Sequence, residues 1–271
     1  MSLYDVISEI SEKHITKSDT GDTRVNGVMI GVVAKNYDKD MPGRVCVTIP
    51  TRDAEANEFQ WVRQVQLSSG GEWGHYFLPE VGDQVLLAFE GGNIEKPYII
   101  GCVPKDNNKF LTSSVDEKNQ IKRIVTKHGS HITFEDNKEN DDGEKDKITI
   151  STAGKAHTVL MDNENKIIRI TDKEKGNFIE MKTDDGNMTV KVKSKITFMV
   201  GDSIKVIMNG ESGTISIKAN EVNVEASKQI KAKTDGMFKM EGAQISEKTS
   251  AMHKIDSSGM VSIAGGPIKI G

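Results

Sequence analysis

The sequence predicts an all-β chain in two parts: a small closed barrel, then a long array of very short strands. Three observations predict it. About five apolar runs separated by turn residues fill the stretch from Val25 to Val103. Beyond residue 126, alternating triplets such as Ile148-Thr149-Ile150 and Ile204-Lys205-Val206 recur to the C-terminus. The chain is also lean, with 36% hydrophobic and 5% aromatic residues among 271, yet strongly periodic. That combination fits an elongated fold that repeats a thin core many times.

A short amphipathic helix is expected ahead of the barrel, over residues 2–14. Leu3, Val6, Ile7 and Ile10 fall at i, i+3, i+4 and i+7, and Ser2 stands as its cap with Asp5 three residues on. The polar run from Lys17 to Asp22 ends it, so residues 1–24 read as helix and linker. A detached helix of this length is not stable alone. Its apolar side must therefore dock, either on the barrel or on another protein.

Residues 25–104 read as the barrel. The apolar sets are Val28, Ile30, Val32 and Val33; Val45, Val47 and Ile49; Trp61, Val62, Val65 and Leu67; Val85 to Phe89; and Tyr98 to Val103. Five short strands with turns such as Met41-Pro42-Gly43 are the count of an OB-fold, and an SH3-like barrel would give a similar pattern. Residues 105–125, with Pro104 just before them and Asn107, Asn108 and a Ser-Ser pair within, read as a linker. The acidic stretch Asp136–Asp146 reads as an exposed loop, since its spacing and missing final Glu do not match a calcium-binding hand.

Residues 126–271 carry the strongest internal signal. One apolar position per strand can be followed from Val190 through Phe198, Val206, Ile215, Val222, Ile230, Phe238, Ile245, His253 and Val261 to Ile268, in steps of seven to nine residues. A strand of about five residues presents only two or three side chains on one face and leaves unpaired edges. A single-chain parallel β-helix needs coils of roughly eighteen residues or more. Three chains wound about one axis solve the problem, each giving one strand per level with apolar faces inward. The expectation is therefore an intertwined homotrimeric β-helix, with an ordinary meander sheet as the alternative.

Composition bounds the function. The net charge is −4 and the basic residues are scattered, so no nucleic-acid footprint is present. Cys46 and Cys102 lie in apolar runs without a CxxC partner and read as buried thiols, with a mutual disulfide left open. No secretory signal or membrane-length apolar run is seen, so synthesis in the cytoplasm without a signal peptide is expected. There is no nucleophile elbow, phosphate loop or zinc-protease motif. The HxxH pair His128 and His131 would fall on opposite faces of a strand. No catalytic residue, metal site or cofactor is expected.

Several segments resemble the valine-glycine-repeat (VgrG-like) and phage-baseplate spike family. Gly43-Arg44-Val45-Cys46-Val47-Thr48-Ile49-Pro50 is similar to its Gly-Arg-Val strand. Trp61-Val62-Arg63, Gly74-His75-Tyr76-Phe77-Leu78-Pro79-Glu80-Val81-Gly82-Asp83-Gln84-Val85-Leu86 and Pro97-Tyr98-Ile99-Ile100-Gly101 resemble the rest of its OB barrel. His131–Asp136 looks like the start of its β-helix, and Gly266-Pro267-Ile268-Lys269-Ile270 like the blunt end of type VI spikes. The resemblance implies a structural, non-enzymatic central spike of a contractile phage-tail-like machine, in a form without the hub domain. It implies a homotrimer that contacts a target envelope transiently, in a virion baseplate or released particle.

It also implies two partners. Leu3, Val6, Ile7 and Ile10 would dock on a baseplate hub protein. Ile263, Gly265, Gly266, Pro267, Ile268 and Ile270 would seat a tip protein of the PAAR kind by strand extension. Some phage spikes end in a His-x-His pair that binds iron on the axis; here His253 stands without that pair. Trp61, Trp73, Tyr76 and Phe77 read as core or trimer-interface residues. The alternatives are a receptor-binding fibre or adhesin and a cell-wall-degrading spike.

Overall fold

In the computed structural model, residues 24–25, 27–50, 58–139 and 142–269 are described. The expected N-terminal helix, with Leu3, Val6, Ile7 and Ile10, lies outside them. The chain divides into two units, residues 1–195 and 196–271. None of the described helices is long and apolar enough to cross a membrane.

The first unit opens with β1 (Val28–Lys35), β2 (Arg44–Thr48), β3 (Glu58–Gln64), β4 (Gln84–Phe89) and β5 (Pro97–Cys102). They close into a barrel of order β1-β2-β3-β5-β4, with β4 returning to β1 and β3 pairing parallel to β5. This is the expected OB-type barrel. Alternation supplies its core: Val85 and Leu87 of β4 point in while their neighbours point out. They meet Val33, Val45, Val47, Ile49, Val62 and Ile99.

Two local devices close the barrel. On β3, Trp61 takes φ +59°, and the β2–β3 register slips between Val45 and Val47, a bulge that bends the strand. Before β4, the Leu-Pro-Glu-Val-Gly-Asp block folds into a tight turn. The Glu80 N–H donates to the Asp83 carboxylate at 2.9 Å, and the Asp83 N–H to the Glu80 carbonyl at 2.9 Å. Gly82 at φ +91° then donates to the Val33 carbonyl at 2.8 Å, and the Val33 N–H donates to the Asp83 carbonyl at 3.0 Å. The block thus stitches β4 to β1, and its glycine is needed because the turn requires positive φ.

The linker expected over 105–125 holds one helical turn, α1 (Lys109–Thr112), capped by Asn108, whose Oδ1 accepts from the Phe110 N–H at 2.9 Å. A seven-stranded antiparallel sheet begins within the last residues of that stretch: β6 (Ile121–Val125), β7 (His131–Glu135), β8 (Lys147–Ser151), β9 (His157–Asp162), β10 (Ile167–Asp172), β11 (Phe178–Lys182) and β12 (Asn187–Lys191), in meander order. Within one chain, the first part of the array is therefore the meander named as the alternative. Its short turns make pairing with the next strand in sequence the cheapest available. The acidic stretch expected as a loop joins β7 to β8.

In the second unit, β13 (Lys195–Val200), β14 (Ile204–Asn209) and β15 (Thr214–Lys218) form a three-stranded sheet. Strands were also expected at 222–224, 230–232, 238–240, 261–263 and 268–270. Among the described residues of this stretch no strand pairs within the chain, and every residue of 221–269 is exposed. It bends at 227–228, 235–236, 243, 250–251, 258–259 and 266–267, matching the period of the apolar pattern.

Candidate functional site

The register of the first sheet sorts its side chains by face. Ile124, Ile132, Ile150, Val159, Ile170, Ile179 and Val190 lie opposite one another in an unbroken row across all seven strands. A second row on the same face runs Phe134, Ile148, Met161, Ile168, Met181 and Met188, beginning at Lys122. The other face carries mostly polar residues, including Arg123, Thr133, Thr149, Arg169, Glu180 and Thr189.

Burial is inverted relative to an ordinary globule. The apolar rows stand open, with Ile170 51% and Met188 64% exposed. The buried positions of the sheet are polar instead: Thr133, Ser151, Asp162 and Glu180. Long neighbours and ion pairs cover them. Arg169 pairs with Glu180 and stacks its guanidinium on Phe178. Lys147 reaches Glu164 at 2.9 Å and Asp162 at 3.4 Å. Burial works to raise the Asp162 carboxyl, but hydrogen bonds from Asn165 and the charge of Lys147 prevail and hold it below its ordinary range. The polar face is thus already finished in one chain, while the apolar face is not.

Where the barrel meets the start of this sheet, Phe77 joins Ile124, Ile132, Ile150, Val159 and Ile170 around an apolar trough of about 420 Å³. A second, open cleft between barrel rim and sheet is lined in part by Tyr76, Glu80, Asp83 and Lys127. Its two carboxylates are structurally engaged. Glu80 pairs with Lys127 at 2.8 Å, and Asp83 accepts from the Glu80 backbone.

The remaining sequence-stated residues fall out as follows. Trp73, Tyr76 and Phe77 are exposed in the single chain, and Trp61 half-buried at the bulge. Cys46 is buried as expected, but Cys102 is exposed, a correction, and no disulfide joins them. Cys102 closes β5 at the barrel edge, on the outward side of an alternating strand. His128 lies in the turn before β7, and His131 contacts the Gly129 carbonyl through Nδ1 at 3.0 Å. Ile263, Gly265, Gly266, Pro267 and Ile268 are exposed, with a bend at Gly266 and Pro267. Ile270 lies outside the described residues. Among the described residues, no group of three or more His, Cys, Asp or Glu side chains is placed to hold a metal ion.

Residues 29–103, the span of the barrel, match the family model of the type VI secretion system/phage-baseplate injector OB domain. The barrel is similar to that injector OB domain. Curated relatives agree. The chain is 29% identical over 93 residues to the type VI secretion system spike protein VgrG2a of Pseudomonas aeruginosa, covering 33% of this chain and 11% of that protein. It is 29% identical over 93 residues to VgrG2b of the same organism, covering 33% of this chain and 9% of the relative. It is 30% identical over 124 residues to the spike protein VgrG3 of Vibrio cholerae, covering 42% of this chain and 12% of the relative. The resemblance to the VgrG-like and phage-baseplate spike family is thereby borne out. The matched stretches span only about a tenth of the relatives' own lengths.

Proposed function

We propose that this chain is the structural central spike of a contractile, phage-tail-like injection machine, working as a homotrimer without catalysis. In this reading residues 126–271 form the needle that breaches the target envelope. The N-terminal segment with Leu3, Val6, Ile7 and Ile10 docks on a baseplate hub protein. The C-terminal end, Ile263 to Ile270, seats a PAAR-type tip protein.

One observation carries the reading: a barrel similar to an injector OB domain leads into a sheet whose apolar face the described residues leave largely exposed. Exposed apolar surface of that extent marks an interface. Identical copies are the fitting cover, because each brings the same rows in the same register, and closed symmetry with three copies lets three such faces meet on one axis. The unpaired backbone of 221–269 points the same way, since extended N–H and C=O groups without partners are templates for other strands. Once covered, such a needle is stiff, because its backbone groups are paired along its length. The function is then the transmission of force.

The deciding experiment is the solution mass of the full chain by light scattering through a denaturant series, followed by capture of a PAAR-type tip protein. A mass near three times 29.8 kDa that resists dissociation is expected. Loss of tip capture on deleting residues 263–271 is expected as well. A monomer overturns the spike. A trimer that binds whole target cells saturably, without a baseplate, points instead to a receptor-binding fibre.

A further inference from the structure

The side chains that fill the barrel leave a second apolar set on its outer surface. On β1, β4 and β5 burial alternates, so the residues between the core positions point outward. Register aligns them. Val28 lies opposite Ala88 and Ile30 opposite Leu86, while Leu86 also lies opposite Gly101, with Ile100 pushed out by the bulge beside it. Just past β3, the Val65 N–H donates to the Ile99 carbonyl at 2.8 Å, which brings Val65 beside Ile100. Ile30, Leu86, Ile100 and Val65 thus form one aliphatic stripe across four strands, about 14 Å wide at the usual strand spacing. Val28 and Val65, at its two ends, are 53% and 56% exposed. None of these residues lines the trough at Phe77. Apolar surface left over outside a completed core marks a docking surface.

The chain carries an occupant of matching size. The Val25 N–H donates to the Gly92 carbonyl at 2.9 Å, so the chain enters β1 beside the end of the stripe where Val28 faces Ala88. Leu3, Val6, Ile7 and Ile10 precede that point, with only residues 11–23 between. That connection reaches at most about 45 Å, several times the width of the stripe. At helical spacing the four apolar residues cover about 10 Å, which fits it. A tether this short gives an effective concentration of order millimolar, ahead of a free partner. Asp5, Glu9 and Glu12 fall on the opposite side of the same pattern. The segment therefore has a single apolar side and fills one seat at a time.

We propose that in the free spike Leu3, Val6, Ile7 and Ile10 lie on the outer stripe formed by Ile30, Leu86, Ile100 and Val65, so that a hub protein must displace them before it can take them. The seat stands on the barrel alone; the exchange rests on the hub-docking reading above. The segment works as a self-cover. It keeps two apolar surfaces from unwanted association until assembly, and hub binding uncovers the stripe at the moment of joining.

The test reads a cysteine placed in the stripe, Ile100→Cys, in full-length protein carrying Cys102→Ser; the native Cys46 is buried. Its rate of alkylation by iodoacetamide is compared with and without Val6→Asp/Ile7→Asp, and solution mass is read on each sample. A seat occupied about nine-tenths of the time slows the reaction about tenfold, so the double change is expected to speed it by at least about that factor. Lys39→Cys, at an exposed position outside the stripe, is expected to react at one rate in both backgrounds. Fast alkylation at residue 100 in both backgrounds overturns the seat, while hub docking by the same residues stands. Slow alkylation in both overturns it as well, because something other than this segment then covers the stripe. A single-chain mass with the rate difference intact overturns the spike and leaves the seat.

Discussion

Ile170 sits near the middle of the open face, between Val159 and Ile179, and half its surface remains in water. Fully burying an isoleucine stabilises by about 1.5–3 kcal/mol, so closing three copies over the remaining half contributes about 1 kcal/mol per chain and about 3 per trimer. Ile170→Asp removes that and places three carboxylates in an apolar interior, at several kcal/mol each. The combined loss is on the order of 10 kcal/mol, comparable to the whole stability of a domain. Light scattering at matched concentrations reads the result. Ile170→Asp is expected at the single-chain mass of 29.8 kDa while the native chain runs as a trimer. Thr189→Lys, on the opposite polar face and facing Glu180, is the control and is expected to leave the mass unchanged. If Ile170→Asp keeps the native mass and melting temperature, the apolar face is not the assembly surface and the reasoning fails.

Further outcomes are expected elsewhere. Gly82→Ala meets open space, so its cost is conformational, about 1–2 kcal/mol from the positive φ, read as a lower denaturation midpoint of the barrel. Arg169→Met strands the buried Glu180 carboxylate; because Arg169 is itself partly solvated, the loss is about 1–3 kcal/mol, and the double change with Glu180→Met is expected to recover most of it. The depressed Asp162 carboxyl gives a pH dependence of definite sign. Its unfolded form takes up a proton first as pH falls, so its contribution is complete above the ordinary carboxylate value of about 4 and is lost as pH drops through the lower folded value. Melting curves from neutral to strongly acid pH are expected to fall less steeply for Asp162→Asn. A native-like slope in that variant would remove Asp162 from the account.

The barrel was legible because each of its strands carries local alternation and each turn its own chemistry. Val45-Cys46-Val47 and Val85-Leu86-Leu87 announce themselves without reference to anything distant. The parallel closure of β3 on β5 and the bulge at Trp61 were not legible, because both depend on partners far apart in sequence. In the sheet, β8, β10 and β12 were recognised from their alternating residues. β9 and β11 were missed: Val159-Leu160-Met161 is a continuous run, and Phe178 places a ring on the polar face. The period near eight was visible in the sequence and returns as the spacing of the bends.

The regular bends between 227 and 267 have a consequence for variation over time. Each period begins and ends in the same backbone state, so excising one whole unit, such as residues 229–236, rejoins a bend to a bend and leaves every later residue on its former side. Excising an odd number of residues within an alternating run would turn the rest of that run to the opposite side. Length in this region is thus quantised: it can grow or shrink by duplication or loss of complete units, while the sequence before and after it goes unaltered. A segment built this way can change length by whole units without any redesign of the sequence on either side of it.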